Sequence, residues 1–206
     1  MSMLKAPGKS QVLMGHWTVN QAGKSIVLVG MMGAGKSSVG RCLQRRTQFA
    51  LLDTDEIVAS KFGLSIPEIF SKYGEQVFRE AETEALREMG PDKQTIVVTG
   101  GGIVLCEDNL DFLKRLGVVV WLHGKEETLF ERAARSGNRP LLQRGYSREA
   151  FTRMLQARLP LYAKVANIRV DTSVLTDEEV AVAILSKLGK LGRNWRPGSP
   201  IPATAG

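Results

Sequence analysis

Apolar residues along the chain fall into two alternating patterns. Five short runs, 25–29, 49–52, 95–99, 118–122 and 168–170, are nearly continuous in apolar residues. Runs of that kind suit strands covered on both faces, as in a parallel sheet. Between them lie stretches with helical character: 36–47, a long region over 65–89, 107–116, 125–135, 148–165, and a last helix that opens at 176 and fades at 189. Several of these ends are marked. Ser65-Ile66-Pro67-Glu68 is a capping box with proline in the first turn, and Gly90-Pro91 closes the long region. Gly117 stops the helix before it, and Thr176-Asp177-Glu178-Glu179 caps the last one. Pro160 removes a hydrogen bond from the 148–165 helix and predicts a kink there. Strands alternating with helices predict an α/β fold: a five-stranded parallel sheet in the middle of three layers.

The 206 residues, 43% hydrophobic and 24% charged, fit one soluble globular domain over 25–190. Residues 1–24 are a basic leader and 191–206 a Pro- and Gly-rich tail, both expected to be flexible. The net charge of +7 is unevenly placed. Residues 1–52 hold seven Lys/Arg and no Asp or Glu. This excess suits an anionic ligand bound near residue 36, or equally a solvated helix face and a basic end. No basic stripe interleaved with aromatics points to nucleic acid. No apolar run is long enough to cross a bilayer, and the first 25 residues lack the apolar region of a secretory signal. Cys42 and Cys106 read as reduced thiols, and with His16 and His123 they match no metal-binding spacing. A cytoplasmic enzyme is the expectation.

Gly30-Met31-Met32-Gly33-Ala34-Gly35-Lys36-Ser37 fits G-x-x-x-x-G-K-[ST] between a predicted strand and a predicted helix. In such a loop the backbone N–H groups of Gly33, Ala34 and Gly35, with those of Lys36, Ser37 and Ser38 at the helix start, face phosphate oxygens. Lys36 reaches the β and γ phosphates and the Ser37 hydroxyl reaches Mg²⁺. Asp53-Thr54-Asp55 ends the second strand at the edge where ligands bind. It reads either as two carboxylates presented to one side by an extended chain, or as an acidic turn capping a helix from about Glu56. Gly100-Gly101-Gly102 follows the third strand, where many phosphate-loop proteins carry an acid; this argues against a motor or a GTPase. Arg79 and Glu82 are spaced to pair on a helix, either as surface charge or as part of a site. Arg158 precedes Pro160, and Arg139 lies in the Gly/Pro-bearing loop 136–146, which reads as a mobile lid.

Taken in order, GMMGAGKS, DTD, FREAE, GGG, NRPLL and RLPLY resemble shikimate kinase, from about Ile26 to Leu188. The resemblance implies a nucleoside monophosphate kinase-like phosphate-loop fold with a mobile lid. It implies ATP-dependent phosphorylation of the 3-hydroxyl of shikimate, in the pathway to chorismate and the aromatic amino acids. On it, Gly33, Ala34, Gly35, Lys36, Ser37 and Ser38 bind ATP, and Ser37 and Asp53 support Mg²⁺. Asp55 holds the shikimate hydroxyls and is the candidate base. Arg79 and Arg158 grip the carboxylate, Glu82 orients Arg79, and the backbone of Gly100, Gly101 and Gly102 touches the substrate. Arg139 is the lid arginine and Arg135 stacks on adenine. The family often carries a proline after the position of Asp171-Thr172, whereas this chain has Ser173-Val174-Leu175. Catalysis is expected from Lys36, Asp55 and Arg139, with shikimate and ATP as partners and a monomer as the default. Two other readings remain at this stage: a kinase for another small molecule such as gluconate or a nucleoside monophosphate, and a regulatory module that has kept the fold.

Overall fold

Strand β1 (Ser25–Val29) is buried along its whole length and lies at the centre of the sheet. The computed structural model describes residues 25–90, 94–135 and 147–191. Within them the chain continues through α1 (Lys36–Thr47), β2 (Ala50–Asp53), α2 (Thr54–Phe62), α3 (Ile66–Glu88), β3 (Thr95–Val98) and a 3₁₀ turn (Ile103–Leu105). It then forms α4 (Glu107–Leu116), β4 (Gly117–His123), α5 (Glu126–Arg135), α6 (Arg148–Val165), β5 (Ile168–Asp171) and α7 (Asp177–Lys190). The strands are all parallel, in the order β2-β3-β1-β4-β5, with Leu28 beside Val98 on one side and Val120 on the other.

Side chains alternate across each strand, so the sheet builds two core layers. Ile26, Leu28, Val98 and Val120 face Val39 and Leu43 of α1, Phe151 of α6 and Ile184 of α7. Val27, Val29, Val119 and Trp121 face Leu86 of α3, Leu113 of α4 and Tyr162 of α6. Each such aliphatic side chain contributes about 1.5–3 kcal/mol on burial. A third cluster, Val58, Ile69, Phe78 and Ala85, fastens α2 to α3 beside the main core. None of the helices among the described residues is long and apolar enough to cross a membrane.

Burial on both faces holds for β1 and β3 and for all of β4 except its last residue. It fails at the two edges. β2 is partly exposed throughout, and β5 buries Ile168 and Val170 while Arg169 and Asp171 face solvent. An edge strand has one neighbour and less helix cover, so its second face stays wet. The capping boxes form as expected: Ser65 N–H donates to Glu68 Oε2 at 2.8 Å, and Thr176 N–H to Glu179 Oε2 at 2.8 Å. The backbone of α6 stays helical through Pro160. The break falls instead inside α3, where Gly74 adopts φ 85° and ψ 171°.

Candidate active site

β1 ends at Val29 and the chain curls through residues 30–35 before α1 begins at Lys36. The curl depends on Gly33, whose φ is 82° and whose missing side chain makes room for α5: a Cβ there would lie 2.1 Å from the Leu129 carbonyl oxygen. Ala34 is fully buried and its N–H donates to Met31 O at 3.2 Å. Lys36 folds back over the loop, its Nζ donating to Gly30 O at 2.8 Å and Met31 O at 3.1 Å. Ser37 is exposed at the start of α1, and half-buried Ser38 accepts a hydrogen bond from Arg41 at 3.3 Å. The loop thus sits at a helix N-terminus, where backbone N–H groups and the helix dipole favour an anion.

The Asp53-Thr54-Asp55 segment does not stay extended. Asp53 caps α2, its Oδ1 accepting from the Asp55 N–H at 3.0 Å, and the helix begins at Thr54 rather than near Glu56. Burial and the Asp55 charge push the Asp53 carboxyl above its usual range, while the Asp55 N–H and Lys36 pull it back. The Lys36 charge is thus near enough to favour the ionised form of Asp53. The exposed Ser37 hydroxyl and the half-buried Asp53 carboxylate are oxygen donors of the kind a hydrated Mg²⁺ takes, alongside phosphate and water. Among the described residues no group of three or more His, Cys, Asp or Glu could hold a metal without such help.

The three glycines after β3 gather the remaining candidates. A Cβ on Gly100 would lie 2.6 Å from both Asp55 Oδ1 and Glu82 Oε1. One on Gly102 would lie 2.4 Å from Arg79 Nη2. Arg158, buried on α6, donates from Nη1 to Gly101 O at 3.2 Å. Arg79 is held on α3 by Glu82, with which it forms a short ion pair, and by Glu75 at 3.0 Å. Glu82 is fully buried, and that burial pushes its carboxyl up to about 7 although Arg79 pulls it down. Gly101 in turn borders the phosphate loop, since a Cβ there would stand 3.4 Å from the Met32 nitrogen. A glycine-rich loop at a helix N-terminus and a polar cluster of two arginines and two carboxylates thus meet beyond the end of β3.

A family model described as shikimate kinase matches residues 32–189. The chain belongs to the shikimate kinase family. A shikimate kinase of Thermodesulfovibrio yellowstonii is 43% identical over 168 residues, covering 82% of this chain and 96% of that protein. That of Geobacter sulfurreducens is 40% identical over 172 residues, covering 82% and 94%. Among solved structures, a shikimate kinase from Acinetobacter baumannii in complex with shikimate aligns with a TM-score of 0.77 and 38% identity, over 81% of this chain and 93% of that one. A gluconokinase from Sinorhizobium meliloti, 21% identical with a TM-score of 0.54 over 82% and 94%, shares the fold alone.

Against the shikimate kinase motifs, the structure separates the candidate residues into three groups. Asp55, Arg79, Glu82, Arg158 and the glycines 100–102 form one cluster, with Asp53 and the Lys36 charge beside it, while Ser37 is exposed at the start of α1. Arg135 stands apart, with an 80% exposed side chain paired to Glu131 on α5. Arg139 and the rest of the expected lid, 136–146, lie outside the described residues, as do the leader and nearly all of the tail. Four other residues at the site do not stand out from the sequence. Thr54 Oγ1 accepts from the Gly100 N–H at 3.1 Å, and Tyr162 OH donates to Gly101 O at 2.6 Å. Arg132 donates to Thr172 O at 2.9 Å and fixes the segment after β5, where Val174 is 85% exposed. Asp177 Oδ1 lies 3.2 Å from where a Gly35 Cβ would stand. Thr54 and Tyr162 lie within quoted motifs, and Tyr162 shares a helix face with Arg158 at i,i+4; that spacing is the signal that could have found it.

Proposed function

We propose that the chain transfers the γ-phosphoryl group of ATP to the 3-hydroxyl of shikimate, giving shikimate 3-phosphate and ADP on the way to chorismate and the aromatic amino acids. The observation that carries this is the gathering of Asp55, Glu82, Arg79 and Arg158 around Gly100–Gly102, directly against the phosphate loop. A small carboxylate bearing hydroxyls needs planar cationic donors and a hydroxyl acceptor, and these residues provide both. Arg79 and Arg158 take the carboxylate, Glu82 keeps Arg79 in place, and Asp55 accepts from the ring hydroxyls.

The backbone of Gly33–Gly35 and the N-terminal residues of α1, Lys36 to Ser38, bind the ATP phosphates. Lys36 exchanges its carbonyl partners for phosphate oxygens. Asp55 takes the proton of the 3-hydroxyl as the new O–P bond forms and the bond to the ADP oxygen breaks. Ser37 and Asp53 would hold Mg²⁺, which supplies charge neutralisation for the phosphates when bound. Arg139 would stabilise charge on the transferring group, and Arg135 would stack on adenine. Since phosphoryl transfer demands mostly positioning and charge stabilisation, no further nucleophile or base is required. In this reading the enzyme works as a cytoplasmic monomer, which sedimentation analysis checks.

The deciding measurement is ADP release from Mg-ATP with and without shikimate, with gluconate as the control acceptor. Release that depends on shikimate supports the assignment; a folded protein indifferent to shikimate refutes it.

A further inference from the structure

We infer that Tyr162 is a positioning residue of the acceptor site, fixing the Gly101–Gly102 peptide so that Arg158 is available to a ligand carboxylate. This rests on the reading above, in which Arg158 binds the shikimate carboxylate. Tyr162 is fully buried on α6, and its ring stacks on Trp121 with centroids 5.9 Å apart and planes 28° from parallel. Its hydroxyl donates to Gly101 O at 2.6 Å, and Arg158, one helical turn earlier, donates to the same oxygen at 3.2 Å. Burial pushes the phenol up to about 12 despite the nearby arginines, so the donor keeps its proton throughout the working range.

The other backbone groups of the glycine segment show why this oxygen matters. Gly100 N–H donates to Thr54, Gly100 O accepts from Ile103 N–H at 3.3 Å, and Gly102 O accepts from Leu105 N–H at 2.9 Å. The Gly101 and Gly102 N–H groups have no protein acceptor among the described residues. In a trans peptide the carbonyl of one residue and the N–H of the next point in opposite directions. Holding Gly101 O therefore aims the Gly102 N–H, at a residue pair with no side chains to limit rotation. Arg158 alone could hold that oxygen only by giving up part of its reach toward a carboxylate. With Tyr162 as the permanent donor, the guanidinium can turn without leaving this part-buried carbonyl unsatisfied.

Tyr162→Phe keeps the ring and its contact with Trp121 and removes only the hydroxyl. The KM for shikimate should rise about tenfold while the KM for Mg-ATP stays within about twofold of the parent. Combined with Arg158→Lys, the two effects should be less than multiplicative, because both substitutions act through one guanidinium. Circular dichroism and the melting curve confirm that the variant is folded. An unchanged shikimate KM in the folded variant, or an equal rise in both KM values, overturns the inference. The parent protein run alongside separates the two assignments. A parent inert toward shikimate removes the functional reading and the inference with it. An active parent confines the test to the variant, whose two KM values then decide the role of Tyr162.

Discussion

Glu82 holds a buried charge between opposing demands. One carboxylate oxygen pairs with Arg79, while Oε1 has no hydrogen-bond partner among the described residues and faces Gly100 alongside Asp55. With its carboxyl raised to about 7, the folded protein binds this proton more tightly than the unfolded chain does. The linked stability is therefore fully present below the ordinary carboxylate range and is lost as pH rises through about 7. Comparing melting temperatures of the parent and Glu82→Gln from pH 4.5 upward should show the parent losing more stability than the variant. The ionised form is also the one that grips Arg79. Activity on shikimate, as kcat/KM, should fall below about pH 7 with a one-proton slope that Glu82→Gln abolishes. Removal of either arginine head, in Arg79→Ala or Arg158→Ala, should raise the shikimate KM about 10- to 100-fold with little change in the ATP KM, the loss expected for charge-assisted hydrogen bonds. Equal effects on both substrates would undo the clamp. Gly102→Ala makes a finer probe. The added methyl would meet the Arg79 guanidinium at 2.4 Å, where Glu75 and Glu82 hold it, so shikimate binding should weaken severalfold and the melting temperature should fall as the ion pair with buried Glu82 is disturbed.

At the scale of elements, α5 and α7 brace the phosphate loop from outside. Gly33→Ala would drive a methyl group into the α5 backbone and also demand a positive φ. A loss of about 1–3 kcal/mol in unfolding free energy is expected, with nucleotide affinity falling alongside it. Thr176→Ala, which removes the cap of α7, should cost about 1 kcal/mol, measurable as a drop of about 2–4 °C in melting temperature. These elements were legible in the sequence because their signals are local. The capping boxes, the apolar runs of β1, β3 and β4, and the glycine-rich turn each occupy a few adjacent residues. Boundaries set by nonlocal contacts were less visible. Thr54 begins α2 because Asp53 turns the chain to cap it, and β2 and β5 are half-exposed because they lie at the edges. Gly74 breaks α3 where periodicity alone continues through it, whereas Pro160 is absorbed into α6. The same distinction explains the site: Asp55, Arg79 and Arg158 stand out by residue type and motif. Tyr162 and Thr54 matter for which backbone atom they reach, and that depends on the packed fold.

For the whole molecule, the basic excess of the first 52 residues is partly answered within the fold. Arg45 and Arg46 pair with Glu178 across α1 and α7, at 2.5 and 2.9 Å, and Lys36 rests on carbonyls. Exposed pairs of this kind add little stability, about 0–1 kcal/mol each. Ligands should add more. At a hundred times its dissociation constant, either Mg-ATP or shikimate should raise the melting temperature by about 5–10 °C, as thermal-shift measurements can check. The sheet order also places Gly30, Gly100 and Gly124 just beyond the ends of the three central strands β1, β3 and β4. Where Gly101 approaches Gly30 and Met32 the two half-sites meet backbone to backbone, with few rotamers to freeze when a ligand settles there. On the acceptor side, the two arginines are Arg79, already held by Glu75 and Glu82, and Arg158, already against Gly101. For these two side chains, much of the conformational entropy of recognition has thus been surrendered during folding, before any substrate arrives.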